Sequence, residues 1–149
     1  MYSIKYIGNV ADIDIKKKIN AVFFKTPAGH EPVKEILRDL GRPTKTVVGE
    51  DIRFVELNWR VDRPYVDRLR SSSGQYEKSV YEARHTVETL EYRTLFFVYD
   101  NLMVLVHFFR KTTRKTPKSE LDLAWKRMKE WIHEQKSAET VAKTTRRKK

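Results

Sequence analysis

An α+β fold is the class that this 149-residue sequence predicts, and three observations carry it. Two short segments with helical periodicity lie in the N-terminal half. Three strand-like segments follow one another between Val80 and Lys111, and an amphipathic segment with proline at its start lies beyond them. The length argues for one domain with a real core, and a hydrophobic fraction of 40% with 11% aromatic residues is enough to pack it.

Taken in order, Tyr2, Ile4 and Tyr6 alternate with polar residues and read as a short edge strand that Gly8-Asn9 breaks. Residues 1–19 are therefore an N-terminal extension or an extra strand. Asn20–Lys25 is a better strand, ended by Thr26-Pro-Ala-Gly29. A helix over His30–Leu40 would place Val33, Ile36, Leu37 and Leu40 on one face, and Gly41 and Pro43 stop it. A second helix spans Val47–Trp59, with Ile52, Val55, Leu57 and Trp59 as its apolar positions, and Pro64 ends it. Arg70-Ser-Ser-Ser-Gly-Gln75 is a polar loop.

Strands follow at Val80–Val87, Tyr92–Tyr99 and Met103–Lys111, the last two joined by a tight Asp100-Asn101 turn. Residues 93–106 are apolar at nearly every position, as expected of strands covered on both faces for part of their length. The last helix has Thr116 as its cap and Pro117 at its first position, and it buries Leu121, Trp125, Met128 and Ile132. It fades after Gln135, so the domain is placed at 20–135 and residues 136–149 are read as a basic, disordered tail.

Charge is the compositional outlier. The chain carries 31 Lys+Arg against 20 Asp+Glu, a net +11, and the 43 residues from His107 onward hold 14 of those cations against 5 acids. A balance this basic favours polyanionic partners, chiefly nucleic acid, with anionic membrane as the runner-up. The absence of cysteine removes thiolate metal sites, disulfides and thiol catalysis. No apolar run is long enough to span a bilayer and no signal-peptide pattern opens the chain, so a cytoplasmic protein is expected. No glycine-rich phosphate loop or His-Glu-x-x-His pattern occurs, and the four histidines have no ligand spacing, so neither a metal site nor a cofactor is expected.

The candidate chemistry gathers in Val104–Lys118, where an apolar strand carries His107 and then runs into a cationic connector. Strand periodicity would align Met103, Leu105, His107, Phe109 and Lys111 on one face. His107 then reads either as a half-buried, backbone-bonded residue or as an imidazole poised near neutral pH. Arg110, Lys111, Arg114, Lys115 and Lys118 have no acid among them, and a connector held between a buried strand and a packed helix could engage successive phosphates. Arg84 and Arg93, on the two preceding strands, either pair with Glu82 or Glu91 or clamp a phosphate. Phe96, Phe97, Phe108 and Phe109 read as core.

Three stretches together resemble the RelE/HigB-like toxins of bacterial type II toxin–antitoxin systems, in their phage-derived HigB branch. They are Val80-Tyr-Glu-Ala-Arg84, Tyr92-Arg-Thr-Leu-Phe-Phe97 and Val104-Leu-Val-His-Phe-Phe-Arg-Lys-Thr-Thr-Arg-Lys-Thr-Pro-Lys118, continuing through Glu120-Leu-Asp-Leu-Ala124 and Arg127-Met128. Val22-Phe-Phe and Glu31-Pro-Val-Lys-Glu-Ile36 extend the likeness upstream, so that it covers about residues 20 to 132. It departs from the family in the residues before position 20, in the longer 70–79 segment, and in Phe108, where glycine is frequent.

The resemblance implies a compact RelE-like α+β fold: a twisted antiparallel sheet, two N-terminal helices packed on it, and a C-terminal helix. It implies a toxin that cleaves messenger RNA, typically on the ribosome, neutralised by a cognate helix-turn-helix antitoxin. Catalytic roles carry over to Arg84, Arg93, His107 and Lys111, with Arg110, Arg114, Lys115 and Lys118 holding RNA backbone. The alternatives are a non-cleaving toxin of the same fold, such as a gyrase-type inhibitor, and a basic RNA-binding adaptor without catalysis.

Overall fold

The computed structural model describes residues 16–69 and 79–147. The Tyr2–Tyr6 segment and the polar loop after Leu69 lie outside them. The elements are β1 (Asn20–Phe23), α1 (Pro32–Asp39), α2 (Thr44–Asn58), β2 (Val66–Leu69), β3 (Val80–Val87), β4 (Leu90–Tyr99), β5 (Leu102–Arg110) and α3 (Lys118–Arg147). The fold is α+β, as expected. One strand, β2, went unread because four residues between turn-forming segments carry too little alternation to be recognised.

The sheet order is β1-β5-β4-β3-β2. Strands β2 to β5 pair antiparallel, but β1 lies parallel to β5, so the sheet is mixed rather than wholly antiparallel. Buried Glu56 of α2 secures the start of β1. Its carboxylate accepts hydrogen bonds from the Ala21 amide at 2.8 Å and Lys17 Nζ at 3.0 Å, and its backbone carbonyl accepts from the Lys18 and Ile19 amides. The β4–β5 hairpin turns at Asp100, whose φ of 53° is one that aspartate tolerates better than most side chains.

Two cores sandwich the sheet. On one face Val33 of α1 and Val48, Ile52 and Val55 of α2 meet Ala83, Phe96, Met103, Leu105 and Phe108. On the other, Ala124, Trp125, Met128, Trp131 and Ile132 of α3 meet Val80, Leu95, Phe97, Val104 and Val106. Coverage on both faces explains the near-continuous apolar run in β4 and β5. Ile36, expected inside, is 40% exposed, because eight residues of α1 present only a narrow stripe to the sheet.

A β-bulge divides β5. Leu95 pairs with His107 but Phe96 pairs with Leu105, which leaves Val106 as the extra residue. The alternation of side chains therefore reverses there. Met103 and Leu105 face α1 and α2, whereas His107 and Phe109 face α3. The single row from Met103 to Lys111 expected from strict period two does not exist.

On the α1/α2 side, a buried polar chain ties α2 to the sheet. His85 Nδ1 lies 2.9 Å from Asp51 Oδ2, and His85 Nε2 lies 2.7 Å from Thr94 Oγ1. His85 and Thr94 are fully buried. With the carboxylate accepting from Nδ1–H, Nε2 accepts from the threonine hydroxyl. Replacing Thr94 by Val would leave that lone pair without a donor and should lower stability by about 1–3 kcal/mol. Urea unfolding measures this directly, and an unchanged midpoint would contradict the assigned bond.

Helix α3 starts at Lys118, one residue after Pro117, and the Thr116 hydroxyl donates to Glu82 on β3 instead of capping the helix. The helix also continues past Gln135 to Arg147. Lys, Ala, Glu and Arg, which favour helix, make up seven of residues 136–147, and the Thr140 and Thr144 hydroxyls find acceptors in the carbonyls four residues earlier. No described helix is long and apolar enough to cross a membrane.

Candidate functional site

The strands place four of the expected residues on one face. Arg84 stands opposite Arg93 in the β3–β4 ladder, and Arg93 stands opposite Phe109 in the β4–β5 ladder. His107, opposite Leu95, lies diagonally from Arg93. All of them share the face that α3 covers, and Lys111 reaches the same spot from the end of β5, its Nζ 3.9 Å from Glu82 Oε1. His107 belongs to this group because of the bulge: with unbroken alternation it would point to the other face.

Acids interleave these cations. Arg93 Nε donates to Glu82 Oε1 at 2.7 Å, and Arg93 Nη1 donates to Glu91 Oε2 at 3.1 Å and to the Tyr92 carbonyl at 2.9 Å. Glu82 is 2% exposed and also accepts from Thr116. One buried carboxylate thus joins β3, β4, Lys111 and the connector. Arg84 Nη2 lies 3.4 Å from Asp67 Oδ2 on β2. Arg63 donates two further hydrogen bonds to Asp67, and they hold its carboxyl below the usual range against the opposing effect of burial. Two arginines directly across a ladder repel each other, and these acids offset that repulsion.

His107 sits under the first turn of α3. Its Nε2 contacts Glu120 Oε2, and its ring stacks on Phe109 at 5.5 Å between centroids. Arg127 of α3 donates to the Val106 carbonyl at the bulge, at 2.7 Å, and lies over the Phe24 ring. Burial pushes the His107 pKa below 6.5, outweighing the Glu120 carboxylate, which raises it; Arg127 adds to the lowering. The ring is accordingly neutral at pH 7. With Glu120 accepting at Nε2, the neutral tautomer carries its proton there and Nδ1 is a bare lone pair.

This shift links to stability. Below pH 6.5 the unfolded chain takes up the His107 proton before the folded chain does. Stability contributed by the neutral ring is therefore complete above pH 6.5 and is lost as pH falls toward the lower folded-state value. Unfolding titrated between pH 7.5 and pH 5 should show a decline that is smaller in His107→Gln; equal declines would remove His107 as the cause.

Among the described residues, two buried side-chain nitrogens have no hydrogen-bond partner: Arg84 Nε and His107 Nδ1. Both lie in this site. Buried groups are satisfied nearly everywhere in folded proteins, so two orphans on one sheet face mark a place where packing was not the only requirement.

The connector is pinned and its cations point outward. The Lys111 amide donates to the Glu91 carbonyl, Thr113 Oγ1 donates to the Lys115 carbonyl at 2.6 Å, and the Pro117 carbonyl accepts from the amides of Glu120 and Leu121. Arg114, Lys115 and Lys118 are exposed. Arg110 is exposed too, but it pairs with Tyr92, which stacks on Phe108, and so it stands on the α1/α2 face, away from the other cations. Reading the sequence alone did not reach Glu120, Arg127 and Asp67 as site members. Glu82 was visible only as an arginine partner, two residues before Arg84 on the same strand. No group of three or more His, Cys, Asp or Glu side chains among the described residues is placed to hold a metal ion.

A small α+β domain, with two helices on one sheet face and a third helix covering a charged site on the other, is the architecture expected of the toxin class introduced above. The chain belongs to the phage-derived Gp49-like family (DUF891), whose model matches residues 35–129, and this is a family of HigB-like toxins. The match is narrower than residues 20 to 132: it starts inside α1 and ends midway along α3. No curated protein matches the chain.

Proposed function

We propose that this protein is the toxin of a type II toxin–antitoxin system and acts as an endoribonuclease on messenger RNA, aligned by the ribosome and silenced by a cognate helix-turn-helix antitoxin. The observation that carries the reading is the convergence of Arg84, Arg93, His107 and Lys111 on one sheet face, with both orphaned nitrogens among them. Family membership supports the toxin class.

The chemistry would be attack of a ribose 2′-hydroxyl on the adjacent phosphodiester, giving a cyclic phosphate and a free 5′-hydroxyl. His107 Nδ1 is the lone pair able to take the 2′-hydroxyl proton, a role the neutral ring suits, and water would protonate the departing 5′-oxygen to leave the 5′-hydroxyl. Protein covers that atom in the present conformation, so RNA binding must displace the Phe109 stack while the Glu120 contact that sets the tautomer stays in place. Arg84 and Lys111 would stabilise the phosphorane charge, and Arg93, held by Glu82 and Glu91, would orient them. Arg114, Lys115 and Lys118 would hold the backbone, with Arg110 reaching it from the other face. The reaction in this form uses no metal or cofactor. Borrowed alignment on the ribosome would supply positioning that so sparse a site lacks.

The test is to induce the protein and map messenger 5′ ends. New ends within coding regions are expected. Growth arrest with unchanged transcripts would overturn the nuclease reading and favour a non-cleaving toxin, a reading to which the full engagement of Arg93 lends some weight.

A further inference from the structure

We propose that the exposed lysine flank of α3, from Lys118 to Lys143, is a docking rail for the phosphate backbone of double-helical RNA, separate from the strand that is cut. The proposal rests on the RNA reading of the cationic connector and extends it to a second contact. Helix α3 has 30 residues, yet only those up to Ile132 pack on the sheet. From His133 to Thr144 every side chain except Gln135 is exposed. A helix so exposed gains little from tertiary packing. The distal half also lies beyond the family match at residues 35–129.

The charges on this helix are sorted. Lys118, Lys129, Lys136 and Lys143 follow at intervals of eleven, seven and seven residues, close to three, two and two turns, and so lie on one flank. Lys126 stands on the adjoining row. Glu130, Glu134 and Glu120 occupy the opposite flank, together with Arg127, which is bonded to the Val106 carbonyl. Asp122 near the start and Glu139 one turn before Lys143 are the acids on or beside the lysine row. From Lys118 to Lys143 the row runs about 38 Å at 1.5 Å per residue, in direct continuation of the exposed cations Arg114 and Lys115. Beyond it the sequence ends in Arg146-Arg-Lys-Lys149.

The occupant follows from what the rail lacks. Single-stranded RNA is held on aromatic stacking platforms, and beyond His133 the sequence contains no aromatic side chain. A row of ammonium groups recurring every two or three turns along one helix flank matches instead the regular phosphate rows of a duplex, which proteins read by shape and backbone. Lysine, a point charge on a flexible stem, suits contacts that carry no sequence information.

The experiment compares the full chain with the triple variant Lys129→Gln/Lys136→Gln/Lys143→Gln, in binding to a synthetic RNA hairpin and to a single-stranded RNA of equal length over a range of salt. Glutamine keeps helix propensity, and circular dichroism verifies the fold. Hairpin affinity should fall roughly tenfold or more near 0.1 M salt, and the log–log salt slope should shrink by about 2–3, one phosphate contact per lysine. Single-strand binding should fall less. The opposite-flank variant Glu130→Gln/Glu134→Gln should lose nothing. An unchanged hairpin affinity and slope would overturn the rail while leaving the cleavage site intact. So would a triple variant that binds RNA normally but fails to form its complex with the antitoxin, since the row would then serve a protein. If the unmodified chain binds neither RNA, the RNA reading fails together with the rail.

Discussion

Replacing Glu82 by Ala should destabilise the protein by about 3–5 kcal/mol, the range for breaking a buried ion pair from one side. Glu82 is 2% exposed and its partner Arg93 is 7% exposed, so solvent cannot take over the lost interaction. Three groups depend on the one carboxylate, and it also offsets the repulsion between two arginines. Arg93 Nε would lose its 2.7 Å acceptor, the Thr116 hydroxyl would lose its acceptor, Lys111 would lose its nearest opposite charge, and repulsion between Arg84 and Arg93 would increase. For a domain of this size, a loss of that order lowers the melting temperature by roughly 10 °C or more. Glu82→Gln keeps one acceptor oxygen, for Arg93 Nε, and turns an amide N–H toward the Thr116 hydroxyl, which can accept it; it removes the charge but should lose less than Ala. The check is chemical unfolding of both variants; a loss under about 1 kcal/mol for Ala would show that Glu82 does not hold this site together.

His107→Ala should lower messenger cleavage by about 10²- to 10⁴-fold, the usual contribution of a positioned acid or base. The fold should survive, because His107 lies at the margin of the α3 core and makes no backbone ladder contact through its side chain. Glu120→Gln tests the tautomer argument separately. An amide can donate to Nε2 and stabilise the other tautomer, moving the proton onto Nδ1. Cleavage should then fall, and the acid limb of the pH profile should move, although the ring itself is present. A folded His107→Ala protein that cuts at the normal rate would make His107 a strand residue and no more.

How much of this was legible beforehand differs by element. Strand β3 was placed to the residue, and β4 and β5 to within two, because aromatic, aliphatic and β-branched residues dominate them and Asp100-Asn101 marks the turn between the last two. The packed stripe of α3 was equally plain, since Trp125, Met128 and Ile132 recur at helical spacing. The opposite faces of β5 were misread. A single extra residue at Val106 reverses every side chain beyond it, and nothing in Val104-Leu-Val-His107 announces a bulge. Ile36 and the length of α3 were missed for local reasons, a narrow helix and a solvated one.

The sequence by itself determined the class of this protein: an α+β domain with a basic C-terminal third and a strand–connector–helix signature that led to its family. Periodicity and composition are local properties, and they survive without knowledge of the fold. Only the tertiary structure decided which charges meet. Glu82 finds Thr116 across 34 residues, His107 finds Glu120 across the connector, and Arg93 turns out to be held by two acids instead of standing free. Such pairings depend on strand register, on one bulge and on the path of a helix, all set by burial of the two cores. A charge in a sequence has a sign, but its partner is fixed only when the chain closes around it.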